Sequence, residues 1–207
     1  MKNTRYYNIF DGVKIPSAVY TVNSTTNLCT SAAHGLVNGD IVIVTTATTL
    51  IDPLVVATEY YIINATTNTF QFSTSLNGTA VNFADTGTDE QRFWLQGKRI
   101  YCADADFVNI TTYGNATNNM VVKVLSSSQK DCPAFGGAVS GTNTWIYQDI
   151  IGLHNGTSID GSTGFDPTES TVFINSINAD GIDWITMAIT AYTAGNVKAD
   201  ATLYDKR

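Results

Sequence analysis

Residues 184–204 read WITMAITAYTAGNVKADATLY. Apolar side chains take every second position from Ile185 through Met187 and Ile189 to Ala191, and again from Val197 through Ala199 and Ala201 to Leu203. Thr193-Ala194-Gly195-Asn196 separates the runs, and Thr186, Thr190, Lys198, Asp200 and Thr202 fill the other face. A period of two on both sides of a short glycine-containing turn predicts an antiparallel hairpin with one buried face. A lone hairpin is marginal in water, so that face requires a second sheet. The expectation is the closing hairpin of a β-sandwich, with Ile185, Met187, Ile189, Val197 and Leu203 in the core. Trp184, Tyr192 and Tyr204 then become candidate contact residues on its outer face.

Working back from this stretch, further strands are expected over residues 107–113, 120–125, 144–151 and 171–177. Asn115–Asn119, Gly136-Gly137, Asn155-Gly156 and Asp180-Gly181 mark the breaks between them. Residues 1–20 contain Tyr6, Tyr7, Ile9, Phe10, Val13 and Ile15, too apolar for a free arm. Asp11-Gly12 is a turn signal between two short extended pieces, and Pro16 restricts the second. These pieces are expected to join the sandwich of residues 97–207, which makes residues 21–96 an insertion.

Residues 21–96 have a character of their own. Strands are expected over residues 28–31, 41–45, 59–64, 69–73 and 80–84, with a turn at Asn77-Gly78. Short strands every 8–12 residues indicate a small all-β barrel or sandwich. In His34-Gly35-Leu36-Val37-Asn38-Gly39-Asp40, Gly35 and Gly39 suit turn conformations that other residues resist. Asp40 is placed to bond local backbone, and the His34 ring to cap the turn.

Two sets of residues carry a resemblance. Cys29-Thr30, His34-Gly35-Leu36 and Gly39-Asp40-Ile41-Val42, then Tyr60-Tyr61-Ile62-Ile63 and Thr67-Asn68-Thr69-Phe70-Gln71-Phe72, resemble a small β module recurrent in tailed-bacteriophage virion proteins. Phe107-Val108-Asn109-Ile110, Val122-Lys123-Val124, Trp145 and residues 184–197 resemble jelly-roll-like domains of phage head and tail proteins. The first resemblance implies a spacer or docking unit and no chemistry; both together imply a virion structural part.

Composition narrows the function classes. The 207 residues are 43% hydrophobic and only 14% charged, with a formal net charge of −7. An ordinary domain has about 25% charged residues. A surface so poor in charge is weakly protected against β-edge pairing, which suits a protein built to pack into assemblies. The negative balance argues against a phosphate-backbone partner, since Lys2, Arg5, Lys14, Arg92, Lys98 and Arg99 are few and scattered. No apolar run approaches the ~20 residues that span a bilayer, and the N-terminal residues lack the apolar core of a secretory signal. The chain is therefore expected to stay in the cytoplasm where it is made. Cys29, Cys102 and Cys132 have no metal-type spacing and are expected as buried free thiols. Asn-x-Thr triplets such as those at Asn64 and Asn77 are uninformative in so Asn- and Thr-rich a chain.

The search for chemistry finds no nucleophile elbow, phosphate-binding glycine loop or paired-cysteine metal pattern. His34 and His154 fall in different domains, so no catalytic, cofactor or two-histidine metal site is expected from them. The best ligand candidate is Asp160-Gly161-Ser162-Thr163-Gly164-Phe165-Asp166, where Asp160, Ser162 and Asp166 offer oxygens to calcium. Thr171 stands where an EF-hand needs its bidentate Glu. Asp104 and Asp106, with Glu169 or Asp183, allow a glycosidase reading by carboxylate pairing. Trp94, Trp145 and Trp184 allow a sugar-stacking platform. The expectation adopted is an all-β chain without enzymatic activity or cofactor: a small barrel-like module joined to, or inserted in, a jelly-roll-like sandwich. It acts in a phage virion by assembling with copies of itself and with major capsid or tail proteins. Head decoration comes first, then a tail adaptor or fibre-base role, then a receptor- or carbohydrate-binding module.

Overall fold

In a computed structural model, residues 3–115, 119–133, 145–153, 156–167 and 172–205 are described. Their regular elements are all strands, so among the described residues no helix is long and apolar enough to cross a membrane. The chain forms two compact units. Residues 1–14 and most of the chain from Gly97 onward make one; Ile15–Gln96 make the other. The second is thus inserted after the first strand of the first. It begins at Ile15 instead of residue 21, because Ser17, Tyr20 and Val22 bury their side chains in it.

Strand β1 (Thr4–Lys14) runs through Asp11-Gly12 without turning back. Its register against the partner strand slips between Asn8 and Phe10 and again between Phe10 and Lys14. The turn expected at Asp11-Gly12 is an irregularity within one strand. Gly12, at φ +76°, supplies the left-handed backbone that a bulge needs as readily as a turn does.

The inserted unit contains β2 (Ser17–Asn23), β3 (Leu28–Thr30), β4 (Ile41–Thr46), β5 (Glu59–Ile63), β6 (Thr69–Ser73) and β7 (Gln91–Gln96). Every neighbour pair is antiparallel, in the order β2-β3-β6-β5-β4-β7, and β7 pairs back onto β2. The six strands therefore form a closed ring, and alternate residues point inward as a barrel requires. Tyr20, Tyr60, Phe70, Phe72 and Phe93 fill it. Phe70 lies 5.2 Å from Phe72, 5.8 Å from Phe93 and 6.0 Å from Tyr20 between ring centroids, all edge-to-face. Residues 80–84, expected as a strand, form a loop whose Phe83 plugs into this cluster. The sixth strand is Gln91–Gln96 instead.

The other unit adds β8 (Ile100–Tyr101), β9 (Ala105–Tyr113), β10 (Asn119–Ser127), β11 (Ile146–Tyr147), β12 (Ile150–Gly152), β13 (Ser158–Ile159), β14 (Val172–Asn178), β15 (Trp184–Ala194) and β16 (Val197–Asp205). One sheet runs β1-β16-β9-β14-β12-β13; strands β8-β15-β10-β11 lie side by side in another. The expected strand over 144–151 is two short ones in different sheets, joined through Gln148, whose N–H donates to the Val124 carbonyl at 2.9 Å. Residue 144, Gly136-Gly137 and Asn155 lie outside the described residues.

The predicted hairpin is corrected in its pairing. Strand β15 bonds β10 and β8, whereas β16 bonds β1 and β9. Gly195, at φ +98°, turns the chain from one sheet into the other. A period of two states which face is buried and is silent about which strand lies alongside. The inner residues are core as expected: Ile185, Met187, Val197 and Leu203 are fully buried. Thr186, expected on the polar face, is also buried, and its hydroxyl donates to the Gly97 carbonyl at 2.8 Å. The Gly97 and Lys98 N–H groups donate to Met187 and Ile9 carbonyls, each at 2.9 Å, so this segment ties β15 to β1. The result is an all-β, sandwich-like architecture.

Candidate interaction surfaces

The barrel's glycine turn is built from within. The His34 ring is fully buried, 5.0 Å from the Phe70 ring, and its Nδ1 accepts the Leu36 N–H at 3.0 Å. That bond requires Nδ1 to be unprotonated. Asp40 accepts the Val37 N–H at 2.9 Å through Oδ2, and its own N–H donates to the Val37 carbonyl. Gly35 and Gly39, at φ +67° and +90°, take conformations that a Cβ resists. These four residues shape a turn whose outside, with Ala33, Leu36, Val37, Asn38 and Ala65, lines a shallow groove.

The sandwich separates the three candidate contact residues. Trp184 is half-buried on β15, edge-on to Tyr101 of β8 at 5.0 Å. Tyr204 is half-buried on β16, in the other sheet, between Thr4 and Phe107. Tyr192 does not share the outer face of Trp184. A register slip near Thr190 puts Tyr192 opposite the buried Met120, and directly opposed residues share a face. The Tyr192 hydroxyl donates to the Gly195 carbonyl at 2.9 Å. No single outer face unites the three, because β15 and β16 belong to different sheets.

The calcium candidate is a loop folded on its own bonds. The Asp160 carboxylate accepts the Ser162 hydroxyl at 2.6 Å and its N–H at 2.7 Å, which hold it below the usual carboxylate range. Asp166 accepts the Met120 N–H at 3.3 Å. Among the described residues, no group of three or more His, Cys, Asp and Glu could hold a metal ion.

The carboxylates proposed for sugar hydrolysis are divided. Asp104 binds the Arg5 guanidinium at 2.5 Å, and Asp205 binds it at 2.8 Å. Partial burial works against the Arg5 charge, but the bonds to both carboxylates outweigh it and hold its pKa up. Asp106 borders a shallow depression with Phe107, Asn178 and Asp180. The Asp183 carbonyl accepts the Cys102 N–H. Glu169 and His154 lie outside the described residues. The aromatic platform is corrected too: Trp145 is only 1% exposed and cannot stack on a sugar. Trp94, in the barrel, is half-buried and donates to the Thr45 hydroxyl at 3.1 Å.

The cysteines are free, and Cys132 is only partly buried. Burial raises all three thiols, that of Cys102 to about 12, with Asp183 and Asp104 adding to the rise.

The sheet β1-β16-β9-β14-β12-β13 turns to solvent a face of mixed apolar and polar side chains, with several large exposed hydrophobics, that sequence reasoning missed. Its outward rows follow from the pairing. Tyr204 lies beside Phe107; Tyr6, Thr202, Asn109, Ser176 and Ile151 form the next row. Asp200, Thr111 and Ile174 form a third, and Lys198 and Tyr113 a fourth. Tyr6 is 77% exposed, Ile151 52% and Phe107 47%. These residues come from separate strands, and only the strand order shows them side by side.

No family model, curated protein or solved structure matches the chain.

Proposed function

We propose that this chain is a structural component of a tailed-bacteriophage virion, without enzymatic activity, acting by protein–protein assembly on the head exterior. One observation carries the reading: the strand order of the sandwich together with the closed barrel inserted after its first strand. Setting aside β12 and β13, which extend one sheet beyond β14, and counting β1, β8, β9, β10, β11, β14, β15 and β16 as first to eighth, that sheet runs first-eighth-third-sixth and the other second-seventh-fourth-fifth. Two Greek keys wound together give this order in a jelly roll. It supports the jelly-roll reading and, with the barrel motif at His34–Asp40, the resemblance to phage head and tail proteins. The step from fold to virion is an analogy.

The site chemistry accords with an assembly role. Arg5 engages Asp104, and local backbone and hydroxyl groups engage Asp160 and Asp166. The exposed sheet carries apolar side chains suited to burial against protein.

The test is binding of the purified chain to isolated phage heads and, separately, to tails. Saturable binding to heads supports decoration. Binding to tails alone replaces head placement with a tail-adaptor role, and binding to neither overturns the virion reading.

A further inference from the structure

We infer that the outward face of the sheet β1-β16-β9-β14-β12 is a homotypic interface that packs against the same face of a second copy of this chain. The inference takes from the proposed function only the premise that the chain assembles.

Charge comes first. The chain carries −7 overall, so most approaches of one copy to another are repulsive at low salt. This face is different. Its pairing rows hold Lys198 and Asp200, which form a 3.1 Å ion pair, and otherwise Tyr, Phe, Ile, Thr, Ser and Asn; Asp11 at the β1 edge, close enough to act on Lys198, is itself 3.8 Å from Lys98. Lys198 also lies 5.0 Å over the Tyr113 ring. A strongly basic partner would find no acidic patch in the middle of this surface. A second copy meets a surface of ion-paired charge, aromatic and aliphatic side chains and uncharged polar groups like its own, which suits the self-complementary patch of an isologous contact.

Area comes second. Five strands ~4.8 Å apart and rows spanning about seven residues at ~3.3 Å give a face of roughly 24 by 23 Å, about 550 Å². Two such faces together remove about 1,100 Å², at the lower edge of what a specific interface buries. Tyr6, Phe107, Ile151 and Ile174 are spread across the patch instead of clustered at one rim. Apolar contacts therefore extend over the width that a sheet-on-sheet contact needs. Such packing resembles the two inner faces of a sandwich, about 10 Å apart.

The experiment is analytical ultracentrifugation of the full chain across a concentration series. The expected result is reversible association to twice the 22.3 kDa of one chain. Phe107→Thr combined with Ile174→Thr keeps strand propensity and is expected to raise the dissociation constant at least tenfold. Thr111→Arg, in the middle of the face, should do the same, whereas Thr190→Arg on β15 should change nothing. If a face variant does not fold, Asn109→Cys in a Cys132→Ser background tests the same contact by oxidative cross-linking into dimers. A chain that stays monomeric at ~100 µM, or that Thr190→Arg dissociates while Thr111→Arg does not, overturns the inference. No phage particle enters this measurement. A monomer that binds heads sinks only the interface, and a dimer that binds neither heads nor tails sinks only the proposed function.

Discussion

The barrel of Ile15–Gln96 and the sandwich around it solve the edge problem of β-structure in opposite ways. In the barrel every strand has a partner on both sides, and large rings fill the interior: Tyr20, Tyr60, Phe70, Phe72 and Phe93. In the sandwich β1 has a partner strand on one side only, and its core is mostly aliphatic and partly small: Ala105, Ala199 and Ala201 beside Val108, Ile110 and Met187, with two buried aromatics, Phe10 and Trp145. A round section has a wide centre that aromatic rings fill, whereas two sheets ~10 Å apart leave room for a thinner layer. Closure leaves the barrel no unpaired edge, and the sandwich retains both an edge and a bare face. The barrel is built to be self-sufficient, and the sandwich to be completed by something else.

The largest test of this contrast is Phe70→Ala, at the meeting point of four aromatic contacts in the barrel. It should cost about 3–5 kcal/mol in chemical denaturation, as large buried rings do. A loss below ~1 kcal/mol would mean that the rings are not what holds the barrel. In the sandwich, Gly97→Ala adds a Cβ 2.7 Å from Ile9 Cγ2 and 2.7 Å from the Met187 carbonyl oxygen. Overpacking there is expected to cost about 1–3 kcal/mol and to lower the melting temperature. Unchanged melting would show that the two sheets can part at no cost.

Smaller effects sharpen the comparison. His34→Ala leaves the buried Leu36 N–H without its acceptor and should destabilise by about 1–3 kcal/mol, read by urea titration. Gly12→Ala meets no neighbour within 4 Å, so its cost, about 1 kcal/mol, comes from the left-handed backbone alone. The thiols give the finest distinction. A thiol reagent at neutral pH should label Cys132 first, with Cys29 and Cys102 reacting only as the fold opens. Below about pH 9, Cys102 is protonated in folded and unfolded chains alike, and its contribution to stability is intact. As pH rises from its ordinary 9.0 towards about 12, only the unfolded thiol ionises, so stability should fall across that window.

Much of this architecture was legible because alternation reports burial. The inner faces of β15 and β16 and the barrel strands from Ile41, Glu59 and Thr69 could be read from side-chain period alone. Partnership could not. A β-strand's edges carry backbone groups that are the same in every sequence, so residues 184–204 looked like a hairpin although their two arms never pair. Register slips were equally hidden: one extra residue near Thr190 turns Tyr192 away from the surface assigned to it. The glycine turn at His34–Asp40 was visible because positive φ selects residue type. The exposed sheet was not, because Tyr6, Phe107, Ile151 and Ile174 come from four separate stretches that only the strand order brings together.

The way the chain leaves and rejoins the sandwich has one more consequence. At the barrel's two ends Ser17 pairs with Trp94, and the Pro16 carbonyl accepts the Leu95 N–H at 2.8 Å. Departure and return points are thus one strand spacing apart, about 5 Å, a gap that a short turn can bridge. The barrel is a cassette: a single recombination event can add it, remove it or exchange it for another module without re-threading any sandwich strand. The ancestry of Ile15–Gln96 is therefore free to differ from that of the strands on either side.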